Sequence, residues 1–139
     1  GYHSRNRLLW ARRQRGGKKY LMQTKELLQK VTQVLEDMKA RDISVIDVSR
    51  MTSITDSMVV ASGTSDRHVK AIADELVEKM KASDARPLGV EGADQGDWVL
   101  VDLGDIVVHL MLPRVRDFYN LETLWSVTEG NRESATVPL

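Results

Sequence analysis

The sequence predicts an α/β protein, a mixed β-sheet of about five strands with helices packed on it. Three observations carry this expectation. Two segments place apolar residues at helical spacing, several short runs are β-branched, and a strand–helix–strand succession is followed by two apolar runs on either side of Gly104-Asp105.

From Thr24, the apolar residues Leu27, Leu28, Val31, Val34, Leu35 and Met38 recur at i, i+3/i+4, so one face of a first helix is apolar. Thr24 is placed to cap its start, and the helix should end near Ala40. Ile43, Val45, Ile46 and Val48 then read as a short strand. A polar turn over 49–56 leads into Met58-Val59-Val60-Ala61, a continuous run expected of a strand covered on both faces. Gly63 stops that strand, and Thr64 or Ser65 can cap a second helix, with Asp66 at its positive end. Val69, Ile72, Ala73, Leu76, Val77 and Met80 are its buried stripe, and its charged side is a solvated face. Residues 87–90 suit a third strand, joined to the second by a right-handed crossover onto a parallel sheet. Residues 98–103 and 106–111 flank Gly104-Asp105, a pair suited to a two-residue hairpin turn. Pro113 opens a short final helix over 114–125, with Val115, Phe118, Leu121 and Trp125 available for packing.

Charge divides the chain. Lys and Arg number 20 and Asp and Glu 20, so the 139 residues carry no formal net charge. Residues 1–21 hold seven basic side chains and no acid, which leaves the remainder at −7. The basic leader 1–21 is therefore read apart from a single α/β domain over 22–126 and a polar, flexible tail over 127–139. A stretch added in cloning or translated from upstream of Met22, an RNA-binding arm and an organelle transit peptide all suit the leader's composition.

Composition removes several classes. With no cysteine there is no disulfide framework, thiol nucleophile or cysteine-ligated zinc or iron–sulfur site. The longest strongly apolar stretch is the seven residues 106–112, far short of the roughly 20 that span a bilayer. His3, His68 and His109 are far apart, and neither a metal-binding HExxH, a GxSxG elbow, a Walker loop nor a GxGxxG is present.

Two constellations leave room for an enzyme. Gly63-Thr64-Ser65, between a strand and a helix, could hold a phosphate on unpaired backbone N–H groups, or be a helix cap. Asp102 with Asp105 could ligate a divalent ion, or be a strand residue and a turn residue. His109 in its apolar strand fits a structural or contact role, and Trp98 is either core or a binding anchor.

A resemblance goes further than spacing can. In order, Asp47-Val48-Ser49, Thr55-Asp56-Ser57, Gly63-Thr64-Ser65, the helix Val69-Lys70-Ala71-Ile72-Ala73, Gly89-Val90-Glu91-Gly92, the run from Trp98 to Asp105, Val108-His109 and the run from Arg116 to Trp125 resemble the ribosomal silencing factor family, the Iojap-like proteins, over about residues 22–126. Ser57, Met58 and His68 depart from the family's frequent residues. The resemblance implies a nucleotidyltransferase-like fold without catalytic activity or cofactor. It implies binding to the large ribosomal subunit at ribosomal protein number fourteen, steric blocking of small-subunit joining, and repressed translation in the cytoplasm. It also admits a homodimer.

The acidic domain agrees with a basic protein partner rather than with direct coating of RNA, since phosphate neutralisation calls for positive charge. The hairpin is the expected contact surface, with Trp98, Leu103 and Met111 as apolar contacts, Asp102 and Asp105 as acids facing Arg or Lys, and His109 beside them. The competing expectation is a nucleotide binder or nucleotidyltransferase that uses Gly63-Thr64-Ser65 with Asp102 and Asp105.

Overall fold

The computed structural model describes residues 17–123, with side chains from residue 24 onward. Residues 1–16 of the basic leader, the polar tail and the expected helical end at Leu124 and Trp125 lie outside the described residues. The elements are α1 (Gly17–Asp37), β1 (Arg41–Asp47), β2 (Ser57–Ser62), α2 (Asp66–Ala82), β3 (Gly89–Glu91), β4 (Trp98–Asp102), β5 (Ile106–Met111) and α3 (Pro113–Tyr119). The five strands form one mixed sheet in the order β1-β2-β5-β4-β3.

Helix α1 does not start at a Thr24 cap. It runs back through Met22 to Gly17, and Thr24 is a buried residue inside it. No Gly or Pro interrupts 18–24, and adding a residue to a growing helix costs far less than nucleating a new one. The final helix also departs from expectation. It stops at Asn120, which takes a left-handed conformation (φ 49°) and donates its N–H to the Arg116 carbonyl, and helical turns resume only at Leu121.

The order of the sheet departs from a simple crossover. β2 pairs in parallel with β5, while β4 pairs antiparallel with β5, β3 with β4 and β1 with β2. β3 therefore lies at the edge, with β5 and β4 between it and β2. Burial explains the exchange, because β5 is apolar enough to be covered on both faces and all six of its residues are buried, whereas the three residues of β3 are all exposed.

One sheet face carries Val59, Ala61, Val99, Val101, Ile106, Val108 and Leu110 against Val31 and Leu35 of α1 and Val69, Ile72, Leu76 and Met80 of α2. The apolar stripes read from both helices are the stripes that pack. The opposite face gathers Met58, Val60 and Met111 beneath Val48, Val115 and Leu121. Here the cover is thin, because α3 is only seven residues long. Among the described residues no helix is long and apolar enough to cross a membrane.

Candidate functional site

The thinly covered face leaves an open groove of about 680 Å³ between α3, β4 and the β3–β4 loop, lined among others by Trp98, Leu100, His109, Arg114, Phe118 and Tyr119. Strand register sets its floor. Met111 lies opposite Trp98 and His109 opposite Leu100, with side chains two residues apart on one face.

Four rings descend from solvent into that floor. Phe118 is 81% exposed and Tyr119 49%. Their rings meet edge to face with centroids 5.0 Å apart, Tyr119 lies 4.8 Å from Trp98, and Trp98 lies 5.8 Å from the fully buried His109. An 81% exposed Phe beside two further aromatic surfaces is a concentration of apolar area that folding leaves in water, which is how interaction sites differ from scattered surface hydrophobics.

The Trp98 indole N–H donates to His109 Nδ1 at 2.9 Å. The neutral ring then carries its own proton on Nε2, which is buried without a partner among the described residues. Burial pushes the His109 pKa down to about 4. The imidazole is therefore uncharged at neutral pH and serves as an acceptor that fixes the indole.

The groove's rim comes from the end of β3 and the β3–β4 loop, where Glu91, Gln95 and Asp97 line it. Two glycines hold this loop close to the body. Gly92 has φ +83°, and a Cβ there would overlap the Trp98 carbonyl oxygen; Gly96 has φ +77°, and a Cβ there would lie 2.9 Å from the Asp66 carbonyl oxygen. Gly92→Ala is expected to cost about 2 kcal/mol, from left-handed strain plus the backbone overlap. Urea unfolding checks this, and an unchanged midpoint contradicts it.

Most of the hairpin residues expected at the surface are not there. Leu103 is 4% exposed, Asp105 3%, and Met111 is fully buried, so none of the three presents a contact surface. Asp102 is also buried, and its carboxylate accepts the Gly104 N–H at 2.9 Å. The Asp105 carbonyl accepts from the Asp56 and Ser57 N–H groups. These residues build the two-residue turn, in which Gly104 has φ +89° and Leu103 donates to the Ile106 carbonyl. Of the expected contact set, Trp98 and His109 line the groove.

The nucleotide constellation is not assembled. Gly63 donates its N–H to the Met111 carbonyl, Thr64 to His68 Nδ1 and His68 to the Ser65 hydroxyl, so Ser65 is a helix cap and these donors are already used. A Cβ on Gly63 would lie 2.6 Å from Val69 Cγ2, so close strand–helix packing accounts for the glycine. Gly63 sits at the C-terminal end of β5 and the Asp102/Asp105 turn at its N-terminal end, about 16 Å apart along an extended strand. Among the described residues no group of three or more His, Asp or Glu is placed to hold a metal ion.

Sequence reading missed Phe118 and Tyr119 as groove residues and took Phe118 for packing. Local spacing held no signal for this, since Phe118 and Tyr119 follow Val115 by three and four residues and so share its helix face, and only the tertiary structure leaves them uncovered.

Comparison with known proteins shows what the chain is similar to. Residues 22–138 match the family model described as ribosomal silencing factor during starvation. The chain is 46% identical over 104 residues to a ribosomal silencing factor of Chromobacterium violaceum, covering 75% of this chain and 85% of that protein. It is 40% identical over 107 residues to a Mus musculus protein named for mitochondrial assembly of the ribosomal large subunit, covering 75% of this chain and 47% of that one. A crystal structure of a Chromobacterium violaceum protein superposes with a TM-score of 0.72 at 44% identity, covering 82% of this chain and 92% of that one. One from Bacillus halodurans has a TM-score of 0.67 at 36% identity, covering 73% and 94%.

Proposed function

The chain belongs to the ribosomal silencing factor family, and on that premise we propose that it docks on the large ribosomal subunit at ribosomal protein number fourteen and blocks joining of the small subunit. The observation that supports this reading is the aromatic groove, with Phe118 and Tyr119 exposed over Trp98 and with Glu91 and Asp97 in its lining. Aromatic side chains with few rotatable bonds dominate interface energetics, and acids around them suit a basic protein. The −7 charge after residue 21 adds attraction of the same sign.

Silencing in this reading is occlusion, without bond chemistry. A rigid protein bound on the face where two subunits meet prevents their contact simply by volume. The name of the mouse relative points to the same subunit, and one docking surface serves both regulation and assembly.

Isolated large subunits mixed with small subunits in magnesium scatter more light as they join. Preincubation with this protein is expected to suppress that rise in proportion to the fraction of large subunits occupied. An undiminished rise with the protein bound overturns the blocking step, and absence from the large-subunit pellet overturns the docking step.

A further inference from the structure

The groove depends on a helix that has little stability of its own. α3 is two turns long, has no side-chain cap at its start, and breaks at Asn120. Its placement must come from tertiary anchors. Val115 and Leu121 supply apolar ones. The polar anchor is Arg116, 8% exposed on a seven-residue surface helix, where an arginine would ordinarily reach for water.

The Arg116 guanidinium is held on four sides. Its Nε donates to Glu122 Oε1 at 2.6 Å, one terminal nitrogen to Ser62 Oγ at 2.9 Å and the Arg41 carbonyl at 3.4 Å, and the other to Ser44 Oγ at 3.3 Å. Ser44 in turn donates to Glu122 Oε2 at 2.7 Å. An irregularity in β1 between Arg41 and Ser44, with Asp42 at φ 51°, lets the Arg41 carbonyl and the Ser44 hydroxyl reach the same group. The bond from Arg116 also holds the Glu122 carboxylate below the usual range.

Arg116 and Phe118 project about 160° apart around the helix axis at 100° per residue. Arg116 meets β1 and the end of β2, while Tyr119 meets Trp98 on β4. We propose that the Arg116–Glu122–Ser44 clamp positions the docking groove by setting the roll of α3, and so holds Phe118 and Tyr119 over Trp98. This rests on the docking reading for its functional meaning, and on geometry alone for the positioning. A planar guanidinium with donors in a fixed fork defines an orientation, which a lysine ammonium does not.

The test uses Arg116→Lys, which keeps the charge and loses the fork, and Ser44→Ala, which removes one hydroxyl from the edge strand. Each is read by large-subunit affinity, by thermal unfolding and by the indole N–H cross-peak of Trp98 in a proton–nitrogen NMR spectrum. Three tryptophans give three such peaks, and Trp98→Phe identifies the relevant one. Both variants are expected to move the Trp98 peak toward its position in Tyr119→Ala. Affinity should fall about tenfold for Arg116→Lys, as for loss of one well-oriented charge-assisted contact. An unmoved Trp98 peak in both variants overturns the positioning role, whatever happens to affinity or melting. If Arg116→Lys fails to fold, Ser44→Ala alone decides by the same peak. If Trp98→Ala and Tyr119→Ala bind large subunits like the parent protein, the docking reading fails while the peak still reports on the clamp.

Discussion

Trp98→Ala is expected to weaken large-subunit binding by about 100-fold, ~2.7 kcal/mol, the size of loss that marks a buried aromatic anchor. Trp98 joins the exposed and buried halves of the ring series, touching Tyr119 on one side and donating to His109 on the other. Truncation empties the groove's centre and leaves His109 Nδ1 as well as Nε2 buried without a partner, so the variant also loses stability. Phe118→Ala separates the two effects. That ring is 81% exposed and supports no core, so its removal should weaken binding while leaving the unfolding midpoint within about 0.5 kcal/mol of the parent. Sedimentation with large subunits measures the first quantity and urea unfolding the second. Full binding by both variants would mean that the aromatic face is not the docking surface.

Mild acid is expected to destabilise the fold through His109, by about 3 kcal/mol between neutral pH and pH 4. The folded-state pKa of about 4 lies below the ordinary 6.5 because burial disfavours the imidazolium. Between these values the unfolded chain binds a proton that the folded one does not, so stability is full above pH 6.5 and falls as pH drops toward 4. Asp47 and Glu122 also have depressed pKa values, Asp47 through Ser49 and Glu122 through Arg116. Their contributions are present above the ordinary carboxylate range and are lost only at lower pH. Across pH 6.5 to 4.5 the contribution of His109 is therefore read as the difference between the parent and a variant without this imidazole. His109→Asn keeps an acceptor near Nδ1 and removes the titration, so its stability should fall less than the parent's across that window. Equal slopes for parent and variant would contradict this assignment.

Much of the fold was legible in the residues themselves. Helical stripes such as Val69, Ile72, Ala73, Leu76 and Met80 are local, and a helix must bury them against something. The continuous runs of β2 and β5 announced strands covered on both faces, and Gly104-Asp105 marked the turn between β4 and β5. Boundaries were less legible where a neighbour decided them. Thr24 has a capping side chain, but the helix passes through it, and Asn120 breaks α3 where apolar spacing alone suggested continuity to Trp125.

Sequence by itself determined the α/β class, both long helices, the hairpin and, through ordered motifs, the ribosomal silencing factor family. These follow from local periodicity, from turn chemistry and from residue order, none of which needs a third dimension. Only the tertiary structure decided which residues of the hairpin face outward. Apolar and acidic residues beside a turn look alike as contacts or as core until strand order is known. β5 was inserted next to β2 and covered on both faces, which buried Asp102, Leu103, Asp105 and Met111 together. The same placement left a two-turn helix to cover the opposite face. It was too short to do so, and the rings of Phe118, Tyr119 and Trp98 became the groove because no other element among the described residues reached them.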